Sequence, residues 1–235
     1  MDRVLGRRNV LKGTLAAGVG LALPAKVLAA QSLTLPTFEG PAQPGMATPL
    51  GALSVPASPI GTPDYDRRIL GAAKLQLQRL GNQIWRGDIV GVADFARPSR
   101  EPRLHFANLE NGTVRSFLLA HGRGSDPEHS GWLQSFSDRV GSEATSRGAY
   151  LTCEWYNGKY GTSIRLKGLD RDNATALERA IVMHPAWYVD QSMVDKWGKL
   201  GRSEGCFAMS QTDFNEALWH MSGGRLLFAD RIAES

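Results

Sequence analysis

A cysteine and a histidine near the C-terminal end of the chain are the residues most able to do chemistry. Cys206 follows Gly205 in the run Ser-Glu-Gly-Cys at 203–206, and His184 precedes it by one loop. A cysteine is a strong nucleophile only as its thiolate, which a nearby imidazole can hold deprotonated near neutral pH. Glycine lets the backbone approach a substrate closely, so that N–H groups around Gly205 and Cys206 can point at a developing oxyanion. The pattern indicates a cysteine acyl-transfer enzyme.

The second cysteine of the chain supplies the main alternative. Cys153 lies in a β-rich stretch, and two cysteines in an exported protein commonly form a disulfide. We expect two free thiols, with Cys153 packed as a small apolar side chain, but the sequence leaves a Cys153–Cys206 bridge open. No metal centre is expected, because the cysteines and histidines lack the C-x₂₋₄-C and H-x₃₋₅-H spacings of zinc sites.

The N-terminal segment 1–29 has the order of a secretory signal. Paired arginines at 7 and 8 precede an apolar run at 15–23, and small residues follow at 25–30. The arginine pair resembles a twin-arginine signal, and the apolar run is too short to span a bilayer comfortably. We expect cleavage near Ala29/Ala30, release into the periplasm and no stable membrane anchor afterwards.

Composition divides the remainder into a linker at 30–63, rich in Pro, Ala, Ser and Gly, and one domain at 64–235. The whole chain has 27 basic and 23 acidic side chains, and the signal contains five of the former and one of the latter. The mature chain therefore has 22 of each and a net charge near zero, which gives no support to nucleic-acid binding. The role of the linker and the oligomeric state are left open.

The elements that must position the cysteine and the histidine are mostly strands. Apolar residues at helical spacing predict a helix over 64–80, and Asn-Gly at 111–112 predicts a hairpin between strands at 103–110 and 113–120. A second hairpin is predicted over 149–166 with its turn at 157–158. Further helices are predicted over 174–181 and after Ser210, with a closing strand at 225–230. The fold class predicted is β-rich α+β, with a β-sandwich or mixed sheets and a few helices.

At this point the residues resemble a known family, the murein L,D-transpeptidase catalytic domains. The family carries a histidine, a loop and then Ser-X-Gly-Cys, which here are His184, the loop at 187–200 and the run at 203–206. The run at 144–150 resembles a degenerate form of the family's strand entry, and those at 119–126 and 198–203 resemble a bacterial subgroup of the family. Two departures stand out. Glu204 occupies a position where many members have histidine, and Phe207-Ala208 stands where an arginine or asparagine usually follows the cysteine.

The resemblance implies a site and a reaction. Cys206 would be the nucleophile and His184 the base, with Ser203 and Gly205 completing the catalytic turn. Arg202 or Arg123 could bind the substrate carboxylate in place of the missing basic residue. His121 could line the cleft or orient His184, although local backbone bonds could equally satisfy it.

The reaction implied is L,D-transpeptidation on peptidoglycan stem peptides, which forms 3→3 cross-links through a Cys206 thioester and needs no metal or organic cofactor. If water resolved the thioester, the protein would be an L,D-carboxypeptidase or cross-link hydrolase. A Cys153–Cys206 disulfide would instead leave a non-catalytic wall-binding domain. The acyl acceptor and the preferred diamino acid are not determined by the sequence.

Overall fold

The structure, a computed structural model, describes residues 59–232, so the expected signal and the expected linker up to residue 58 lie outside the described residues. Three α-helices and eight strands follow in chain order: α1 Pro63–Leu80, β1 Ile89–Asp94, β2 Leu104–Asn108, β3 Thr113–Phe117, β4 Gly148–Gly158, β5 Gly161–Gly168, β6 Val182–Pro185, α2 Gln191–Trp197, β7 Phe207–Met209, α3 Gln211–Met221 and β8 Leu226–Asp230. Among these helices none is long and apolar enough to cross a membrane.

All eight strands form one mixed sheet in the order β3-β2-β1-β8-β4-β5-β6-β7. Most neighbours are antiparallel, while β1–β8 and β6–β7 are parallel pairs. The predicted β-rich α+β class is confirmed, and of the two arrangements left open the mixed sheet is the one observed. The closing strand β8 lies in the middle of the sheet, between β1 and β4.

Apolar residues cover both faces of the central strands. Val90 and Val92 of β1 pack with α1, while the alternate residues Ile89 and Ala93 join the larger cluster that also contains the buried side of α3. Gly91 permits this packing, because a Cβ there would lie 2.8 Å from the Cε of Met221. Burial on both faces explains why β1 and β8 read as almost continuous apolar runs.

Local signals located several elements correctly. α1 covers the predicted range and is capped by Thr62, and β2 and β3 pair across the Asn-Gly turn as predicted. Ser210 caps α3 by accepting a hydrogen bond from the Asp213 N–H at 3.1 Å.

The predicted turn at 157–158 is wrong by two residues. The strands continue until Gly158 pairs with Gly161, which leaves Lys159 and Tyr160 at the hairpin tip.

The helix predicted over 174–181 is wrong. A short 3₁₀ turn at Arg171–Asn173 leads into hydrogen-bonded turns that end at Ala180, whose φ of 52° lies in the left-handed region. Asp138 accepts hydrogen bonds from the Thr175 N–H at 2.9 Å and from its hydroxyl at 2.8 Å. The Ile181 N–H then donates to the carbonyl of Ala176, and the chain continues directly into β6.

Candidate active site

The candidate nucleophile lies in a tight turn immediately before β7. The hydroxyl of Ser203 donates to the carbonyl of Cys206 at 2.7 Å and accepts from the Gly205 N–H at 3.2 Å. Gly205 has a φ of 110°, and a Cβ there would lie 2.7 Å from the carbonyl oxygen of Ala144. Only glycine fits this backbone. Ser203 is thus placed to hold the turn, and its hydroxyl makes no hydrogen bond to His184.

A glycine-rich segment at 122–124 supports this turn from behind. The Ser203 N–H donates to the carbonyl of His121 at 2.9 Å, and the Arg123 N–H donates to the carbonyl of Ser203 at 2.8 Å. A Cβ on Gly122 would lie 2.7 Å from the Cα of Gly205. The turn and the segment therefore meet backbone to backbone, which explains the glycine at position 122.

The candidate base lies on β6, next to β7. In the parallel register of these strands, His184 is opposite Ala208, two residues beyond Cys206. The Nδ1 of His184 is 2.9 Å from the carbonyl of Pro185. Since a carbonyl can only accept, Nδ1 carries the proton and Nε2 carries the lone pair. Burial lowers the pKa of His184, while the bond to Pro185 opposes that effect. The imidazole is therefore a neutral base near pH 7.

Tyr160 covers the imidazole from the tip of the β4–β5 hairpin. Its ring stacks on His184 with centroids 4.3 Å apart, and its hydroxyl donates to Glu204 at 3.3 Å. Tyr160 therefore connects the candidate base to the residue before Gly205. His184 is only 2% exposed and Cys206 is 6% exposed, and the hairpin tip contributes to the burial of the imidazole.

The Cys206 thiol rests as a neutral group. Its sulfur lies 3.8 Å from the carbonyl oxygen of Ala180 and makes no hydrogen bond to His184. Burial raises the pKa of the thiol, and the Glu204 charge adds to this; the backbone of Val182 and the positive charge of Arg179 lower it. Cys153 and Cys206 are both free. The disulfide that the sequence left open is therefore absent.

Arg202 and Arg123 both have acidic or carbonyl partners already. Arg202 donates to the carbonyl oxygens of Asp126 and, at 3.0 Å, of Pro127. Arg123 is half exposed, forms a two-pronged pair with Glu143, and lies 3.7 Å from Glu204. Arg123 therefore lies at the exposed side of the site, beside the turn at 203–206. Arg202 instead binds the loop at 126–127.

His121 belongs to a buried charge network and not to an open cleft. Its Nδ1 accepts from the Arg103 guanidinium at 2.6 Å, so its Nε2–H faces the carboxylate of Asp126 at 3.3 Å. Arg103, His121 and Asp126 are all at most 1% exposed. Burial is the largest influence on the pKa of His121 and lowers it to about 4. Its side chain makes no contact with His184; its carbonyl instead holds Ser203.

Sequence reasoning missed Tyr160 and Arg179. Tyr160 was placed inside a strand because the Asn-Gly pair before it looked like the turn. Arg179 was placed on a helix that the structure lacks, and its side chain is in fact 4% exposed. An arginine three residues before a buried strand was the available signal, since a buried guanidinium needs several acceptors. Within residues 59–232, no cluster of three or more acidic, histidine or cysteine side chains could hold a metal.

A comparison with sequence-family models identifies the family of the chain. The sequence model described as the L,D-transpeptidase catalytic domain matches residues 62–229, more than half of the chain. No curated protein matches the sequence.

Solved structures matched by the chain include an L,D-transpeptidase from Mycobacterium smegmatis, with 14% identity, a TM-score of 0.38, and coverage of 61% of this chain and 58% of that one. Another is L,D-transpeptidase 3 from Mycobacterium tuberculosis, with 12% identity, a TM-score of 0.39 and 61% coverage of each chain. A third is the helical cell shape determining protein Pgp2 from Campylobacter jejuni, with 13% identity, a TM-score of 0.40, and coverage of 72% of this chain and 57% of that one. The chain spans less than two thirds of the length of each.

Proposed function

Because the chain belongs to the family of L,D-transpeptidase catalytic domains, we propose that it performs cysteine-dependent acyl transfer on peptidoglycan stem peptides. Cys206 is the nucleophile and His184 the base. The observation that carries the proposal is the 2.9 Å contact of the His184 Nδ1 with the carbonyl of Pro185, which assigns the proton to Nδ1 and leaves the lone pair of Nε2 available on the strand beside Cys206. A neutral imidazole beside a neutral thiol is the starting state that general-base activation requires.

The first half-reaction forms a thioester. The thiol turns from Ala180 toward His184, whose Nε2 takes its proton, and the thiolate attacks the carbonyl carbon at the L-centre of the diamino acid in a tetrapeptide stem. The N–H of Cys206 is the oxyanion donor in this proposal, because the N–H of Gly205 already donates to Ser203. One such donor lowers the barrier by about 3–4 kcal/mol. The intermediate collapses, and terminal D-Ala leaves with the proton from the imidazolium.

The second half-reaction transfers the acyl group to an amine. His184, neutral again, takes a proton from the side-chain amine of a neighbouring stem, which attacks the thioester carbon. The C–S bond breaks, the thiolate recovers the proton, and a 3→3 cross-link results. Hydrolysis by water in place of the amine would instead define a carboxypeptidase or cross-link hydrolase.

Arg123 is a better candidate than Arg202 for the substrate carboxylate. Half of the Arg123 side chain is exposed, and the guanidinium lies 3.7 Å from Glu204, beside the nucleophile's turn. A terminal carboxylate arriving at the site can replace the Glu204 carboxylate as its second partner. We also propose export through the signal at 1–29, since peptidoglycan lies outside the cytoplasm; that segment lies outside the described residues.

The test is intact-protein mass spectrometry of the mature chain incubated with a disaccharide-tetrapeptide. We expect a mass increase equal to the stem less one D-Ala, discharged when an amine acceptor is added. Cys206→Ala should show no adduct, whereas Cys153→Ala, the matched control, should show the same adduct as the wild type. An adduct that persists in Cys206→Ala would refute the assignment of the nucleophile. Discharge in buffer alone, with no amine product, would favour the hydrolase.

A further inference from the structure

A buried arginine lies against the turn that carries Cys206. The Arg179 guanidinium donates to the carbonyl oxygens of Ser137, at 3.0 Å, and of Ala144, and it lies 3.5 Å from the hydroxyl of Ser146. The carboxylate of Asp138 is 3.6 Å away and partly exposed. These contacts from several directions hold the positive charge in one place.

The fixed guanidinium shapes the backbone on which the nucleophile sits. A Cβ on Gly205 would lie 2.9 Å from the Nη2 of Arg179 and 2.7 Å from the oxygen of Ala144. Arg179 therefore donates a hydrogen bond to the Ala144 carbonyl, the same group that lies against Gly205 in the turn. The next residue, Ala180, presents its carbonyl to the Cys206 sulfur at 3.8 Å. Arg179 and Ala180 together contact the turn and the thiol.

Apart from Arg179, the charges around the Cys206 thiol give little stabilisation to a thiolate. Burial and the Glu204 carboxylate both raise the pKa of Cys206, and of the two cations that lower it, Lys159 is fully exposed and therefore screened by water. Tyr160 and Tyr188 also lie near the thiol, but both have raised pKa values and are neutral at pH 7. Arg179 is thus the buried cation beside the thiol.

We infer that Arg179 supplies the fixed positive charge that stabilises the Cys206 thiolate and holds its turn. The role is that of a positioning and electrostatic residue. The chain has Phe207 and Ala208 directly after the nucleophile, where no cation is present; Arg202 binds loop carbonyls, and Arg123 is half exposed and paired with Glu143. This inference extends the proposed function, which it takes as its premise, to a residue outside the Ser-X-Gly-Cys motif.

The test measures the thiolate without needing turnover. In a Cys153→Ser background, the rate of iodoacetamide alkylation of Cys206 is followed from pH 6 to pH 10 by mass spectrometry. Arg179→Gln and Arg179→Met remove the charge, Arg179→Lys keeps it, and Arg115→Gln removes an exposed, ion-paired arginine at the opposite edge of the sheet. Glu204→Gln removes the opposing negative charge.

We expect alkylation at pH 8 to be about tenfold slower in the two neutral variants, because one pKa unit changes the thiolate fraction tenfold. Arg179→Lys should stay within about threefold of wild type on the same scale, Arg115→Gln should not change, and Glu204→Gln should be faster. A merely structural role predicts the opposite sign, since a loosened turn exposes the thiol and speeds alkylation. Unchanged or faster alkylation in the neutral variants would therefore overturn the inference. The alkylation rate reports the thiolate whether or not stem peptides react. Failure of the proposed function would instead appear as the absence of a stem-peptide adduct, so the two failures are distinguishable.

Discussion

The conformation of Gly205 allows a quantitative test of how the nucleophile's turn is held. Its φ of 110° disfavours any L-residue, and a methyl group there would lie 2.7 Å from the oxygen of Ala144, 2.9 Å from the Nη2 of Arg179 and 3.1 Å from the Cδ1 of Ile181. Two of these neighbours are a backbone atom and a fixed guanidinium, which cannot move aside easily. Gly205→Ala should therefore combine backbone strain with overpacking.

The two contributions can be estimated separately. A left-handed backbone costs an L-residue about 1–2 kcal/mol, and overpacking a close-packed site costs about 1–3 kcal/mol. Gly205→Ala should thus lower the free energy of unfolding by about 2–5 kcal/mol. Gly141 is the matched control, because its φ is 77° and nothing lies within 4 Å of the position its Cβ would occupy. Gly141→Ala should show only the backbone part.

Urea denaturation of the mature chain measures both variants at one pH and temperature. The difference between them isolates the steric term, and thioester formation in the remaining folded Gly205→Ala protein should fall well below that of Gly141→Ala, because the turn must shift to admit the methyl group. If the two variants agree within about 0.5 kcal/mol, the contacts around Gly205 do not constrain the turn, and the argument fails.

Two further predictions concern buried imidazoles. Tyr160→Ala removes the stacked ring and should raise the pKa of His184, because burial lowers that pKa. Histidine NMR titration measures the pKa, and Tyr160→Phe, which keeps the ring, should leave it unchanged. Equal pKa values in the Ala and Phe variants would contradict a role for the stacked ring. The folded pKa of His121 is about 4, below its ordinary 6.5, so the unfolded chain gains a proton first and stability should fall by roughly 3 kcal/mol as pH drops from 6.5 to 4. His121→Gln should show a shallower loss in urea denaturation across that range, and an unchanged slope would refute this origin.

Several features were predictable because they depend on neighbours in the sequence. The β2–β3 hairpin follows from an Asn-Gly turn between apolar runs, and α3 follows from a serine cap ahead of helically spaced apolar residues. Residue type and order alone also predict Cys206 and His184 as a reactive pair, and that assignment stays a prediction. Local patterns of this kind determine conformation within a few residues, so they can be recognised in the sequence without knowledge of the fold.

Other features depend on which distant segments meet. The central place of β8 is set by its pairing with β1 and β4, from far apart in the chain. The 174–181 segment has helical spacing, yet it ends at the left-handed Ala180 and is followed by β6, which pairs with β5 and β7. Contacts between remote residues outweighed local propensity there, because burial and hydrogen bonding over the whole domain exceed the small preferences of single residues.

The sequence by itself determined the chemistry that is available: a thiol preceded by glycine, an imidazole, and strands to carry them. Only the tertiary structure decided the state of those groups. It kept the two cysteines apart, committed the Nδ1–H of His184 to Pro185, and placed Arg179 against Gly205. Protonation and charge stabilisation depend on burial and on partners brought from elsewhere in the chain, and a linear pattern contains neither.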